Sequence, residues 1–267
     1  MPSPSKVRIA AVADVHCTKT SHDTLHPLFA EMAERADVLA LCGDLTDYGL
    51  SDEAHVLAKE LAAVKAPVVA VLGNHDFESG HDAELRQILC DAGVALLDGE
   101  SYEVLGVGFA GAKGFAGGFG SRALPSWGEA ACKHFVQEAI DEALKLEKAL
   151  ARLSTEQRVV LLHYAPVQAT VDGEPLEIYA FLGSSRLEEP IGRYPVSVVV
   201  HGHAHRGQLE GRTKGGVPVY NVSMPLLSRS FTDRPPFRVF EVQTGDVGAQ
   251  PTAAFPRGRR ATDAMAS

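Results

Sequence analysis

The chain has 267 residues with 25 Lys plus Arg against 34 Asp plus Glu, a formal net charge of -9. It therefore lacks the global positive field from which non-specific DNA or RNA binding draws its affinity. Hydrophobic residues at 45% and charged residues at 22% exclude disorder of the whole chain and suit a soluble globular protein of one large domain or two small ones.

The longest apolar runs, such as Val68 to Leu72 and Val196 to Val200, fall far short of the ~20 residues a membrane-spanning helix needs. The opening Met-Pro-Ser-Pro-Ser-Lys leads into an apolar segment, Val7 to Val12, too short for a secretory signal. A cytoplasmic protein is the expectation. Cys17, Cys42, Cys90 and Cys132 show no C-x-x-C spacing, and a chain of this size builds a core without disulfides, so reduced thiols are expected.

Apolar runs alternate with amphipathic stretches through the first hundred residues, which is the α/β pattern. Val7 to Ala13 is followed by a helix over Asp23 to Arg35, then by the run Val38 to Cys42. The unit repeats with a helix over Ser51 to Val64, a break at Pro67 and a third run, Val68 to Leu72. Three buried parallel strands are implied. A short helix, Ala83 to Ala92, precedes strands at Val94 to Leu97 and Tyr102 to Leu105.

From Gly106 to Gly120 seven glycines occur, followed by Pro125 and Trp127, and this reads as a long mobile loop. Glu129 to Leu153 is a long helix with Phe135, Val136, Ala139, Ile140, Ala143, Leu144 and Leu150 on its inner face. Strands follow at Arg158 to Leu162, Val196 to Val200, Gly207 to Glu210, Val217 to Val222 and Phe237 to Val242, with a long connection from Tyr164 to Pro195. Beyond Thr244 small residues, Pro and Arg dominate. One domain over residues 1–243 and a disordered tail over 244–267 are expected.

Residues with metal-binding chemistry directly follow the apolar runs. Asp14 and His16 follow the first, Asp44 the second, Asn74 and His75 the third, His163 the run ending at Leu162, and His203 with His205 the run ending at Val200. The first three groups are evenly spaced at 14, 44 and 74, about one βαβ unit apart. Open α/β sheets bind ligands at the carboxyl ends of their strands, so the five groups are expected to converge there. The converging set offers two aspartates, one asparagine and four histidines, oxygen and nitrogen donors that suit two transition-metal ions better than one. Asp14 with His16, and His203 with His205, are each separated by one residue, which in an extended segment points both side chains to one side.

In order, the pieces are Asp14-Val15-His16, Gly43-Asp44-Leu45-Thr46-Asp47, Gly73-Asn74-His75-Asp76, His163 and Gly202-His203-Ala204-His205. The chain resembles the calcineurin-like metallophosphoesterase superfamily, whose signature is D-x-H, G-D-x-x-D, G-N-H-[DE], H and G-H-x-H. All five blocks match. The resemblance implies a central β-sandwich flanked by helices, a four-layer αββα arrangement. It implies one metal held by Asp14, His16, Asp44 and His205, and a second held by Asp44, Asn74, His163 and His203. The ions would be divalent or trivalent, with Mn, Fe or Zn foremost. His75 would stand at the leaving-group side, oriented by Asp47.

The activity implied is hydrolysis of a phosphoester by metal-activated hydroxide, on a small phosphorylated substrate and without a membrane or nucleic-acid partner. The G-D-L-T-D and G-N-H-D blocks in a short chain are similar to the bacterial cyclic-nucleotide phosphodiesterase branch, which favours a diester over a monoester. Lipid-A-precursor hydrolases resemble it too, but typically carry Arg where His75 stands. A DNA nuclease is disfavoured by the acidic balance, and a non-catalytic scaffold by the full ligand set. Gly106 to Gly111 also fits G-x-G-x-x-G, yet no helix opens after it and no acidic residue follows at the required distance, so dinucleotide binding is discounted. Lys113, Phe115 and Phe119 remain candidates to cover a substrate. His201 is expected to support its neighbours, and Asp76 to fix the turn after Asn74.

Overall fold

Strands buried on both faces make long apolar runs, and this chain has enough of them to fill the interior of two sheets. The structure, a computed structural model, describes residues 5–244. In chain order it runs β1 (Ser5–Val12), α1 (His26–Arg35), β2 (Val38–Cys42), α2 (Ser51–Leu61), β3 (Val68–Val71), α3 (Asp82–Asp91) and β4 (Val94–Leu96). It continues with β5 (Ser101–Val104), β6 (Val107–Gly111), α4 (Ala130–Arg152), β7 (Gln157–Leu161), α5 (Tyr179–Leu182) and α6 (Glu188–Ile191). The last elements are β8 (Val198–His201), β9 (Glu210–Arg212), β10 (Pro218–Asn221), α7 (Met224–Ser230) and β11 (Arg238–Thr244).

One sheet has the order β11-β1-β2-β3-β4, the other β5-β6-β7-β8-β10-β9. β1, β2 and β3 are parallel, as expected, and β11 closes their edge antiparallel. In the second sheet β6, β7, β8 and β10 are parallel. Alternation along each strand divides the side chains between layers. Ile9, Ala11, Val38, Ala40, Val69 and Val71 meet Phe109, Val159, Leu161, Val198 and Val200 between the sheets. Ala10, Val12, Leu39, Leu41 and Ala70 face Phe29, Met32, Leu57 and Leu89 of the helices α1 to α3. Val160, Leu162 and Val199 pack on Leu146, Ala149 and Leu150 of α4. The result is the four-layer αββα arrangement.

Several sequence expectations change here. The glycine-rich stretch does not open as a loop: Val107–Gly111 is β6, an inner strand between β5 and β7. Its glycines serve close packing, since a Cβ on Gly111 would lie 2.7 Å from side-chain atoms of both Leu97 and Val71. The β5–β6 turn is made by Leu105 and Gly106, both with positive φ (53° and 77°), the backbone that a tight two-residue hairpin requires. On α4, Leu144 is exposed, and the buried stripe instead takes in Glu142. That carboxylate accepts the Gly114 amide at 2.7 Å and Lys145 Nζ at 2.6 Å, so a satisfied polar group is part of the buried stripe.

The connection from Tyr164 to Pro195 carries α5, α6 and two 3-10 turns, and α7 follows β10 without any helix having been expected there. The strand expected at Gly207 to Glu210 starts only at Glu210. Thr244 ends β11, and the rest of the expected tail, 245–267, lies outside the described residues. Among the described residues no helix is long and apolar enough to cross a membrane.

Candidate metal centre

The five groups of polar residues leave the ends of strands in both sheets, β1, β2 and β3 in one and β7 and β8 in the other. A single parallel rim does not collect them; the mouth between two stacked sheets does. Asp14 Oδ1 accepts from His205 Nε2 at 3.0 Å, and both Asp14 oxygens accept the His203 amide. Asp44 Oδ1 accepts the His75 amide at 2.9 Å and lies 3.4 Å from His163 Nε2, while its Oδ2 lies 3.9 Å from His16 Nε2. Asn74 Oδ1 is 2.9 Å from the same His163 nitrogen.

Donor atoms fall into sets within 4.8 Å of one another: Asp14, His16 and His205; Asp44, His163 and His203; and His16, Asp44 and His75. Two of these sets draw on the two coordination groups that the signature implies, with Asp44 between them. The donor chemistry therefore fits transition-metal ions. Backbone conformation points the same way. Six non-glycine residues among those described have positive φ, and four of them are Asp14 (58°), His16 (43°), Asp44 (47°) and His203 (68°). Such strain costs on the order of 1–3 kcal/mol per residue, persists only where the surrounding structure over-determines it, and clusters at functional sites. The extended conformation expected for the Asp14–His16 and His203–His205 pairs does not occur, because Asp14, His16 and His203 lie in the left-handed region; the donor atoms of Asp14 and His16 nonetheless converge, together with His205.

Glycine lets the backbone pass this close. A Cβ on Gly73 would lie 2.2 Å from Asp44 Oδ1, and one on Gly202 2.4 Å from Asp14 Oδ2. Beneath the site, Asp76 accepts the amides of Gly73 at 2.8 Å, Leu45 at 3.1 Å and Thr46 at 2.8 Å, together with the Thr46 hydroxyl. One buried carboxylate thus ties the turn after β2 to the turn after β3.

Charge is divided within the cluster. Burial alone would lower the His163 imidazole, but Asp44 beside it prevails and raises it to about 9. Burial would raise Asp44, yet His163 holds it below the ordinary carboxylate range. Asp14 is likewise held low against burial, by its bond from His205, and the same bond raises His205. Burial, with His163 close by, lowers His203 to about 3. His163 Nδ1 donates to the Cys42 carbonyl at 3.1 Å, which directs Nε2 toward Asp44 and Asn74. An imidazole oriented this way presents the nitrogen a metal takes.

His75 differs from expectation in one respect. Its Nδ1 donates to the backbone carbonyl of Asp47 at 2.8 Å, whereas the Asp47 carboxylate lies 3.2 Å from His16 Nδ1, without hydrogen-bond alignment. Asp47 thus orients His75 through its main chain, and its side chain faces the neighbouring ring. Glu78, absent from the signature blocks, has its carboxylate 3.3 Å from His75 Nδ1; its three-residue spacing from His75 within one helical turn is the local signal for it. The Phe181 carbonyl accepts from His203 Nε2 at 3.2 Å, a contact that no local pattern in the sequence indicates. His201 is buried between the Gly202 carbonyl and the Thr170 hydroxyl, at 2.8 Å from each.

A family model described as calcineurin-like phosphoesterase matches residues 7–207, a span that contains all five groups. The chain belongs to the calcineurin-like phosphoesterase family. It is accordingly a metal-dependent phosphoesterase, of a family that uses divalent metals and with candidate His and Asp clusters to hold them. A search of the curated proteins finds no match. Among solved structures, the phosphopantetheinyl hydrolase PptH from Mycobacterium tuberculosis is similar at 16% identity and a TM-score of 0.64, covering 89% of this chain and 97% of that one. TT1561 of Thermus thermophilus is similar at 14% identity and a TM-score of 0.53, covering 90% and 99%. At these identities the likeness is one of fold.

Proposed function

We propose that this phosphoesterase is a dinuclear enzyme that hydrolyses a small phosphodiester, with a cyclic nucleotide as the first substrate to try. Asp14, His16, Asp44 and His205 would hold one ion, and Asp44, Asn74, His163 and His203 the other, with Mn, Fe or Zn as the metals. The position of Asp44 carries this reading. Its two carboxylate oxygens face opposite ways, one 3.4 Å from His163 Nε2 and the other 3.9 Å from His16 Nε2, as a bridging ligand requires.

When bound, such a pair of ions lowers the pKa of a water and neutralises charge on the phosphate oxygens. The chain's own residues do the rest. His75 is held by the Asp47 carbonyl, its side chain 37% exposed at the mouth of the site, and it delivers a proton to the leaving oxygen. An alkoxide leaving group, of a diester or a monoester, needs that proton most. The diester preference rests on the resemblance to the cyclic-nucleotide branch. The proposed compartment is the cytoplasm, where the four free cysteines remain reduced.

The test is hydrolysis of bis-p-nitrophenyl phosphate against p-nitrophenyl phosphate with added Mn, beside an Asp44→Asn control. A preference for the diester that the control loses supports the proposal. A preference for the monoester redirects it to phosphomonoesters, and no hydrolysis of either with any candidate metal overturns it.

A further inference from the structure

The ammonium group of Lys113 makes no ion pair among the described residues, and Glu142, Glu138 and Asp98 act on it only from beyond ion-pair distance. Its Nζ lies 4.9 Å from the ring centre of Phe115, 5.4 Å from that of Tyr164 and 5.5 Å from that of Phe77. Its hydrogen bond goes to the carbonyl of the next residue, Gly114, at 2.9 Å. Among the described residues no carboxylate lies within ion-pair distance of it. The buried Glu142 carboxylate is committed elsewhere, to the Gly114 amide and Lys145. A half-buried ammonium with no carboxylate in contact forgoes hydration for a reduced return, and the three aromatic faces compensate only in part, at about 0.5–2 kcal/mol for a cation–π contact.

The collar stands at the rim of the metal centre. Phe77 lies in the same 3-10 turn as His75, after β3. Tyr164 follows His163, and its ring centre is 4.5 Å from that of His203. Lys113 itself follows β6, and its carbonyl accepts the amides of His163 and Tyr164. The amine is thus one aromatic ring away from a candidate ligand, between the turn of one sheet and the turns of the other. We propose that Lys113, framed by Phe77, Phe115 and Tyr164, is a specificity-determining residue that binds a second anionic group, a carboxylate or a phosphate, on the non-reacting part of the substrate. The inference rests on the phosphoesterase reading of the adjacent centre and adds a substrate class to it: phosphoesters with a distal negative charge.

Calorimetry on the Mn-loaded protein tests it, with propylphosphonate compared against alkyl phosphonates carrying a distal carboxylate or a distal second phosphonate, over a short series of chain lengths. The wild type is expected to hold at least one tailed probe about tenfold tighter than the plain alkyl probe, the scale of a single charge-assisted hydrogen bond. A gain confined to the carboxylate or to the phosphonate identifies the group. Lys113→Met is expected to bring that ratio close to one, and Lys113→Arg to retain most of it. Absence of discrimination in the wild type at every chain length overturns the proposal. So does discrimination that survives Lys113→Met, and a lower melting temperature in that variant with the ratio intact would identify Lys113 as a clamp between the two sheet rims. Failure to hydrolyse either nitrophenyl ester would instead overturn the phosphoesterase reading, a separate result from the calorimetric ratio.

Discussion

His75 donates from Nδ1 to the main-chain carbonyl of Asp47 at 2.8 Å, so the ring keeps its orientation whatever side chain stands at position 47. If His75 protonates the leaving group, His75→Ala should lower kcat for an alkyl diester by about 10²–10⁴, and much less for a p-nitrophenyl ester, whose phenolate leaves without help. Asp47→Asn, which preserves the carbonyl, should cost less than His75→Ala on the alkyl ester. Steady-state kinetics with both leaving groups decides this, and equal losses on both esters would remove the proton-donor role.

Asp44 stands between the two donor sets, 3.4 Å from His163 and 3.9 Å from His16. Asp44→Asn keeps the shape and removes the shared charge, so elemental analysis of the purified variant should find its metal content reduced to one ion or none. Activity should fall at least about a hundredfold in the same preparation. Two ions retained at wild-type affinity would show that Asp44 does not bridge.

His201 is fully buried, and burial draws its pKa down to about 4. The unfolded chain takes up that proton near 6.5, while the folded chain stays neutral. The stability involved is complete above about pH 6.5 and is lost as pH falls toward about 4, on the order of 3 kcal/mol at most. Chemical unfolding in a chelator across this range should show the decline, and His201→Gln, though less stable near neutral pH, should show a slope smaller by about one proton. An unchanged slope would assign the acid limb to other groups.

Gly111 in β6 is sealed by Leu97 and Val71, each 2.7 Å from where a Cβ would stand. Gly111→Ala should therefore destabilise by about 1–3 kcal/mol through overpacking between the sheets. Gly192, whose added Cβ would meet backbone oxygens at no less than 3.6 Å, should accept Ala within about 0.5 kcal/mol. Paired denaturant melts separate the two cases, and similar values for both would mean that the space around Gly111 yields.

Much of this molecule is written locally. Runs such as Val38–Cys42 and Val68–Leu72 declare buried strands because both faces of each are apolar, and the residues that follow them, from Asp14 to His205, declare metal chemistry because few other roles call for Asp, Asn and His after five separate strands. The glycines of 106–111 mislead, because Gly106 serves a tight turn while Gly108 makes room for Thr155 and Leu153 and Gly111 for Leu97 and Val71, and a strand with such gaps has the composition of a loop. What the amino-acid order alone determined was the α/β class, the candidate ligands and the family they resemble. Only the tertiary structure decided that the candidate ligands come from two sheets, that Asp14 pairs with His205, that Asp47 steadies His75 by its carbonyl, and that Lys113 stands among three rings with no carboxylate in contact. Strand burial and donor type are properties of a residue and its neighbours in the chain; pairing across the mouth of two stacked sheets depends on where distant backbones are brought by packing.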